Sequence, residues 1–423
     1  MNQPINKNIL TNEIGSQKMN AGKPKNVKEF MPITLMGIRD ALYKAQSAGY
    51  QICLDTFRQE VMYKTSKNSD WQRFRDNDYT KLRLSLEKNG LKKVGKEDIK
   101  DMVMYFAEKY NYDSAILWIN EVVPKWDGIA RIETFLPYYF GADDSLYTQA
   151  CSRYLWSSLA GRIMKPGVKA DMVIVLIGDQ GCGKSTGVEA ISPDPDFFTQ
   201  IDFNDKDADQ ARKMLGRLVG EISELKGLRT KDEESIKSLV TRTHDEWIKK
   251  FKEFPTIYAR RITFIGTTNE NNFLSDITGN RRWLPIKVSK VKVESIKADR
   301  LQLYAEAREK YLLNGIEYSE AEELAKEVIK DHLVIDPWFE VIVEWLDGKS
   351  AGMQPENPKR VSTRAVLKYA LGIDDSRINK HYEHKVVGVL KILGYVKKKE
   401  RTGNFFVLDE YVDSVDSVDT KFT

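Results

Sequence analysis

The apolar residues of this chain fall into short continuous runs separated by polar stretches of helical period. The clearest run is Met172-Val173-Ile174-Val175-Leu176-Ile177. Arg217-Leu218-Val219-Gly220-Glu221-Ile222 follows, then Arg261-Ile262-Thr263-Phe264-Ile265-Gly266-Thr267-Thr268-Asn269, and Trp283-Leu284-Pro285-Ile286 closes the set. Unbroken apolarity over so few residues predicts strands buried on both faces, as in a parallel sheet. A helix-like stretch at 207–215 precedes the second run. Strands alternating with helices predict an α/β fold.

The flanks read differently. Upstream, Gln51-Ile52-Cys53-Leu54-Asp55 is strand-like and 35–48 and 96–110 have helical period, which predicts a small α/β unit. Residues 115–165 read as a helical linker containing the turn Trp126-Asp127-Gly128 around a buried Trp. Asp70, Asp76 and Asp78 stand in a polar, loop-like context and are expected at the surface. Downstream, Val361-Ser362-Thr363 resembles a helix N-cap. Residues 364–371 and 380–393 read as helices, the second stopped by Gly394. Tyr395-Val396-Lys397-Lys398-Lys399 and Asn404-Phe405-Phe406-Val407-Leu408 then pair as a hairpin around Arg401-Thr402-Gly403. Two helices and a basic hairpin predict a winged-helix-like unit for duplex DNA. Such units also serve as protein-binding modules.

The chemistry begins at the end of the first run. Gly178-Asp179-Gln180-Gly181-Cys182-Gly183-Lys184-Ser185 fits G-x-x-x-x-G-K-[ST] without mismatch. The glycines let backbone N–H groups turn inward around a polyphosphate. Lys184 is placed for the β- and γ-phosphates of ATP, and the Ser185 hydroxyl for Mg²⁺. Thr186 opens a helix whose N-terminus adds to the anion site.

Hydrolysis needs partners for that loop. Glu221, at the end of a buried strand, is the candidate acid on the Mg²⁺ side, and Glu224 the candidate for polarising water. The two roles are exchangeable at this spacing, and Glu224 also suits a helix start favoured by the macrodipole. Asn269 ends the third run, where a polar side chain can sense a γ-phosphate; Asn269-Glu270-Asn271-Asn272 also reads as a turn. Arg281 and Arg282 follow Gly279-Asn280, ahead of the fourth run. Guanidinium suits developing phosphate charge. On residue type alone, a surface pair with one member bonded to Asp276 is the simpler account.

Composition narrows the class. A chain of 423 residues suits two or three domains, and 41% hydrophobic with 30% charged residues is ordinary for a soluble protein. No stretch approaches the ~18 apolar residues of a membrane helix. Residues 1–27 are Asn- and Lys-rich without an apolar core, and read as a flexible tail rather than a secretory signal. Cys53, Cys151 and Cys182 are scattered, with neither metal-ligand spacing nor a disulfide framework, which points to the cytoplasm. The net charge of +4 is small, but residues 360–401 hold eleven cations against four acids, a net +7. A low-complexity acidic stretch then ends the chain.

Together these pieces resemble the virulence-associated E family of phages and mobile genetic islands, AAA+ ATPases related to superfamily 3 helicases. The resemblance rests on Trp126-Asp127-Gly128 with Arg131, Pro166-Gly167 with Lys169, the phosphate loop, residues 221–225, 266–270 and 279–283, in that order. It covers residues 115–290 strongly. It implies an ATP-driven DNA helicase working as an oligomeric ring, with a hexamer the expected size, in a bacterial host's cytoplasm. By the same resemblance Glu221 and Glu224 are the Walker B acids, Asn269 is sensor 1, and Arg281 or Arg282 is an arginine finger acting on the next subunit. Family members carry a DNA-contacting hairpin between the second and third motifs, often with an Arg-Pro-Tyr-like segment. This chain has Trp247-Ile248-Lys249-Lys250-Phe251-Lys252-Glu253-Phe254-Pro255 there. Lys249, Lys250 and Lys252 among aromatics suit single-stranded DNA. They equally suit an amphipathic edge with snorkelling lysines.

The expected organisation is a tail (1–27), an N-terminal collar or docking domain (28–114), a helical linker (115–170), an AAA+ ATPase domain (171–335), a winged-helix-like domain (336–411) bearing Lys397, Lys398 and Lys399 toward DNA, and an acidic tail (412–423). Expected partners are single-stranded and duplex DNA, further copies of the chain and a primase, with no membrane. The alternative is a nucleotide-switched DNA-binding initiator that assembles on a site without unwinding.

Overall fold

The computed structural model describes residues 36–40, 42, 50–66, 68–88, 94–201, 207–223, 231–248, 254–271, 273–274, 280–332, 337–350, 352–400 and 403–408. The N-terminal unit holds β1 (Tyr50–Asp55), β2 (Glu60–Thr65) and β3 (Asn68–Arg73), then α1 (Asp76–Lys88), α2 (Lys96–Lys109) and the short β4 (Asn111–Tyr112). Its sheet order is β3-β2-β1-β4, and its own core gathers Ile52, Tyr63, Leu82, Leu86, Val103 and Phe106. Asp78 departs from the expected surface charge. It lies buried at the start of α1, where its carboxylate accepts from the Arg75 N–H at 2.8 Å, the Tyr63 hydroxyl at 3.3 Å and the Lys81 ammonium at 2.8 Å. A helix N-terminus satisfies a carboxylate that composition alone assigns to water.

The next residues do not form a separate linker. Helices α3 (Phe135–Phe140) and α4 (Leu146–Met164) pack into one core with the central sheet. Ser145 and Thr148 close a capping box at the start of α4. Trp156 stands edge-on to Phe135 at 5.0 Å and to Tyr304 at 5.1 Å. α4 is buried almost all round, so its apolar residues carry no stripe that would have placed it against a neighbour.

The centre is a parallel sheet of β5 (Val173–Ile177), β6 (Phe198–Ile201), β7 (Val219–Ile222), β10 (Thr263–Thr268) and β11 (Trp283–Lys287), in the order β11-β5-β10-β7-β6. Between its strands run α5 (Lys184–Ile191), α6 (Asp207–Met214), α7 (Lys231–Thr241) and an antiparallel hairpin, β8 (His244–Ile248) with β9 (Pro255–Ala259). α8 (Val293–Asn314) and α9 (Ser319–Lys330) cover α4. Strand order reverses around β5, the kind of switch point where open α/β sheets form a crevice.

The C-terminal unit has its own core of Ile342, Trp345, Val366, Leu367, Val386, Leu390 and Phe406. It comprises α10 (Trp338–Leu346), β12 (Arg360–Val361), α11 (Lys380–Ile392), β13 (Tyr395–Glu400) and β14 (Gly403–Leu408), with sheet order β12-β14-β13. The expected helix at 364–371 is present, with Ser362 as its N-cap, as an α-turn at Thr363–Ala365 that continues into a wider π-helical turn at Val366–Ala370.

Candidate functional site

The loop that leaves β5 is held close to its neighbours. A Cβ on Gly178 would lie 2.6 Å from the Val288 carbonyl oxygen, so only glycine fits there. Gly183 enters α5 at φ +96°, a left-handed conformation that costs other residues energy. The turn aims the first N–H groups of α5 and the Lys184 side chain at one crevice. That crevice is an open cavity of about 520 Å³. Gln180, Gly181, Gly183, Lys184, Ser185 and Thr186 line one side, and Gln200, Ser223, Thr267, Thr268 and Asn269 the other.

Lys184 is only 8% exposed. Its ammonium donates to the carbonyls of Gly178 at 2.7 Å and Asp179 at 2.9 Å, and to Asn269 Oδ1 at 2.9 Å. Those acceptors compensate a charge that burial would otherwise penalise. Glu221 is fully buried at the carboxyl end of β7. Its Oε1 accepts from Ser185 Oγ at 2.5 Å and Thr267 Oγ1 at 2.8 Å, and its Oε2 from Gln200 Nε2 at 3.4 Å. A hydroxyl and a carboxylate so close form a hard-oxygen donor pair of the kind Mg²⁺ prefers. Gln200 and Thr267 are the residues that sequence reasoning missed. The run quoted for β10 contained Thr267 without a role, and β6 is too short and mixed to stand out. A polar residue at the carboxyl end of a buried strand was the available signal.

Arg281 and Arg282 sit elsewhere. They occupy the 3₁₀ turn Asn280–Arg282 before β11. β11 runs parallel to β5, with Trp283 beside Val173 and Lys287 beside Ile177. The arginines therefore lie at the opposite sheet edge from the loop, one strand length or about 15 Å away. Arg281 pairs with Glu322 of α9 at 3.1 Å, with its side chain 52% exposed. Arg282 is half-buried and its Nε has no hydrogen-bond partner. Neither is near the loop of its own chain.

Glu224 and the hairpin lysines Lys249, Lys250 and Lys252 lie outside the described residues, as does Asp276. Lys397, Lys398 and Lys399 lie on β13, Lys397 and Lys399 exposed and Lys398 half-buried. In the same unit Arg364 and Lys368 each bond Asp375 at 2.8 Å, which neutralises part of the basic region. Lys169 is exposed and 3.6 Å from Asp171. The Trp126 turn is a structural clasp. Asp127 and Arg131 form two 2.8 Å bonds, and the Arg131 and Ile132 N–H groups donate to the buried Glu306 of α8 at 2.7 and 3.0 Å. Hydrogen bonding to Arg131 holds the Asp127 carboxyl down to about 2. Trp126 is partly exposed, its indole N–H bonded to the Ile129 carbonyl at 2.9 Å.

The family model for the virulence-associated protein E-like domain matches residues 119–334, just over half the chain. No curated protein matches the sequence. Among solved structures, the A form apo structure of the NrS-1 C terminal region aligns with 10% identity and a TM-score of 0.46, covering 87% of this chain and 98% of that one. Another structure of that region, residues 305–718, aligns at 11% identity and a TM-score of 0.48 with the same coverage. At such scores the likeness says nothing of activity.

Proposed function

The chain belongs to the virulence-associated protein E-like family, and on that premise we propose that it is an ATP-driven DNA helicase, acting as an oligomeric ring in the replication of a phage or mobile genetic element. The observation that carries this reading is the convergence of two bonded pairs in one crevice, Lys184 with Asn269 and Ser185 with Glu221. The sheet order, with the loop at the switch point, supports an AAA+ P-loop core.

In this reading Lys184 takes the β- and γ-phosphates in exchange for the loop carbonyls. Asn269 moves with it to the γ-phosphate. The oxygen donors of Ser185 and Glu221 fit Mg²⁺, which when bound neutralises charge on the phosphate oxygens. Glu221 stays oriented through Thr267 and Gln200, and Glu224 is assigned to the attacking water. Arg281 or Arg282 serves the next subunit's loop, in keeping with their distance from their own. The hairpin lysines follow the DNA strand, and the C-terminal unit, read as a winged helix built on α11 and the β13–β14 hairpin, holds duplex DNA. The setting is a bacterial host's cytoplasm, with a primase as replication partner. Among the described residues no helix is long and apolar enough to cross a membrane.

The test is ATPase activity with and without single-stranded DNA, and strand separation on a forked substrate. Lys184→Ala should abolish both while the circular dichroism spectrum stays unchanged. An unstimulated wild-type protein that separates no strands would overturn the helicase. The exposed Lys397 and Lys399, on a unit with its own core, favour a second reading as a nucleotide-switched initiator. Tight, sequence-selective duplex binding without unwinding would select it.

A further inference from the structure

We infer that the turn at residues 55–59 of the N-terminal unit is a positioning wedge for the ATPase site. The inference rests on the ATPase reading above and gives the N-terminal unit a role in it. Phe57 has no exposed surface, and it belongs to the core of the central sheet rather than to that of its own unit. The turn that projects it is rigid. The buried Asp55 accepts at Oδ1 from the N–H groups of Phe57, Arg58 and Ser114 at 3.1, 3.4 and 3.3 Å. Gln59 closes it at φ +54°, the one left-handed non-glycine among the described residues. Such a conformation persists only where its surroundings impose it.

The contacts of the wedge fall at the starts of three strands. The Phe57 ring meets Phe197, the residue before β6, edge-on at 5.3 Å, and the Arg58 guanidinium lies 5.1 Å from the same ring. Arg58 packs on Gly216 ahead of β7, where a Cβ would come within 3.2 Å of its side chain and 3.3 Å of its backbone. The Arg261 guanidinium, just before β10, lies 5.5 Å from the Phe57 ring. The starts are also tied to one another, Leu218 N–H to the Phe197 carbonyl at 2.8 Å and Thr263 N–H to the Leu218 carbonyl at 2.9 Å. A salt latch surrounds the contact, with Arg58 and Arg73 on Asp196 at 3.5 and 2.9 Å.

The same three strands deliver the site at their far ends, as parallel strands must. β6 carries Gln200, β7 carries Glu221, and Asn269 follows β10. None of these ring, ion-pair and hydrogen-bond contacts falls on β5, which leads into the phosphate loop. The wedge therefore bears through these contacts on the residues around Glu221 and Asn269 rather than on the phosphate loop. It also meets the hairpin, because the Tyr258 hydroxyl of β9 donates to the Phe57 carbonyl at 2.7 Å. A pull on the hairpin reaches the starts of the catalytic strands through this bond.

Two measurements on the full chain test the wedge. In steady-state ATPase assays, Phe57→Ala should lower kcat by about tenfold and leave KM for ATP within about twofold, since misplacement harms the chemical step more than nucleotide binding. Phe57→Leu should recover most of kcat. Asp196→Asn, which opens the latch without a cavity, should shift kcat in the same direction. The second measurement needs no nucleotide. Amide exchange in Phe57→Ala and Asp196→Asn should rise severalfold in residues 219–222 and 263–269 and stay at the wild-type rate in 173–177, with Phe57→Leu near wild type throughout. If the wild type hydrolyses no ATP, the ATPase reading fails and the exchange pattern alone decides the wedge. A kcat per folded molecule of Phe57→Ala equal to wild type, or exchange in that variant raised only within residues 50–60, overturns it.

Discussion

Glu221 has no exposed surface, and three donors from three elements fix its carboxylate. A buried charge with its bonds satisfied is well placed for chemistry, because nothing has to reorganise when charge develops beside it. Glu221→Gln keeps the shape and removes the charge. It should leave fluorescent-nucleotide binding near wild type and lower kcat by roughly 100-fold or more, as loss of a preorganised charge at a reaction centre does. Equal loss of binding and turnover would instead make Glu221 a structural residue. Asp127 makes a pH prediction. Its folded pKa of about 2 lies below that of an ordinary carboxylate. Its pairing with Arg131 thus stabilises the fold fully above the ordinary range and is lost as pH falls through about 2. Thermal melts should find Asp127→Asn modestly less stable than wild type at pH 7, and the two should converge near the acid end. The effect is small because both side chains touch solvent.

At the scale of elements, the β8–β9 hairpin stands on a buried ion pair. Arg260 and Asp245 are 1% and 4% exposed and bonded through two nitrogens. Removing one partner strands the other charge in the interior, which costs about 3–5 kcal/mol. Asp245→Ala should therefore lose stability of that order in urea titrations, while Lys397→Ala, on an exposed face of β13, should lose almost none. The central strands were legible because double burial leaves an unbroken apolar run, and the turn from β5 into α5 was legible because its glycines follow directly on such a run. β6 was not, since Phe-Thr-Gln-Ile at a sheet edge has no such run. The β2–β3 hairpin was also missed: β3 faces solvent on both sides, so its sequence alternates for no core. The linker expectation failed for a related reason. A helix buried all round looks the same in sequence whether it joins two domains or fills one. The Phe57 insertion left no trace at all, because a single phenylalanine after a strand does not say whose core it enters.

For the whole molecule the question is what completes the crevice. Parallel pairing of β11 with β5 puts Arg281 and Arg282 at one edge of the sheet and the loop at the other. No side-chain rearrangement bridges that distance within one chain. If an arginine takes part, it comes from another copy through a head-to-tail contact, the contact type that closes into a ring. Mixing separates this from a local role. The double variant Arg281→Ala, Arg282→Ala keeps an intact loop, and Lys184→Ala keeps intact arginines. Each alone should be nearly inactive. Mixed in equal amounts and allowed to exchange subunits, they should regain about a quarter of wild-type ATPase, since one contact in four joins a working loop to a working arginine at random assembly. Arg281→Ala and Arg282→Ala taken singly identify the finger, and the Glu322 pairing makes Arg281 the one that must first be released. Mixtures as inactive as their components would return both arginines to the fold of their own subunit, with the 3₁₀ turn anchored on α9 as their whole role.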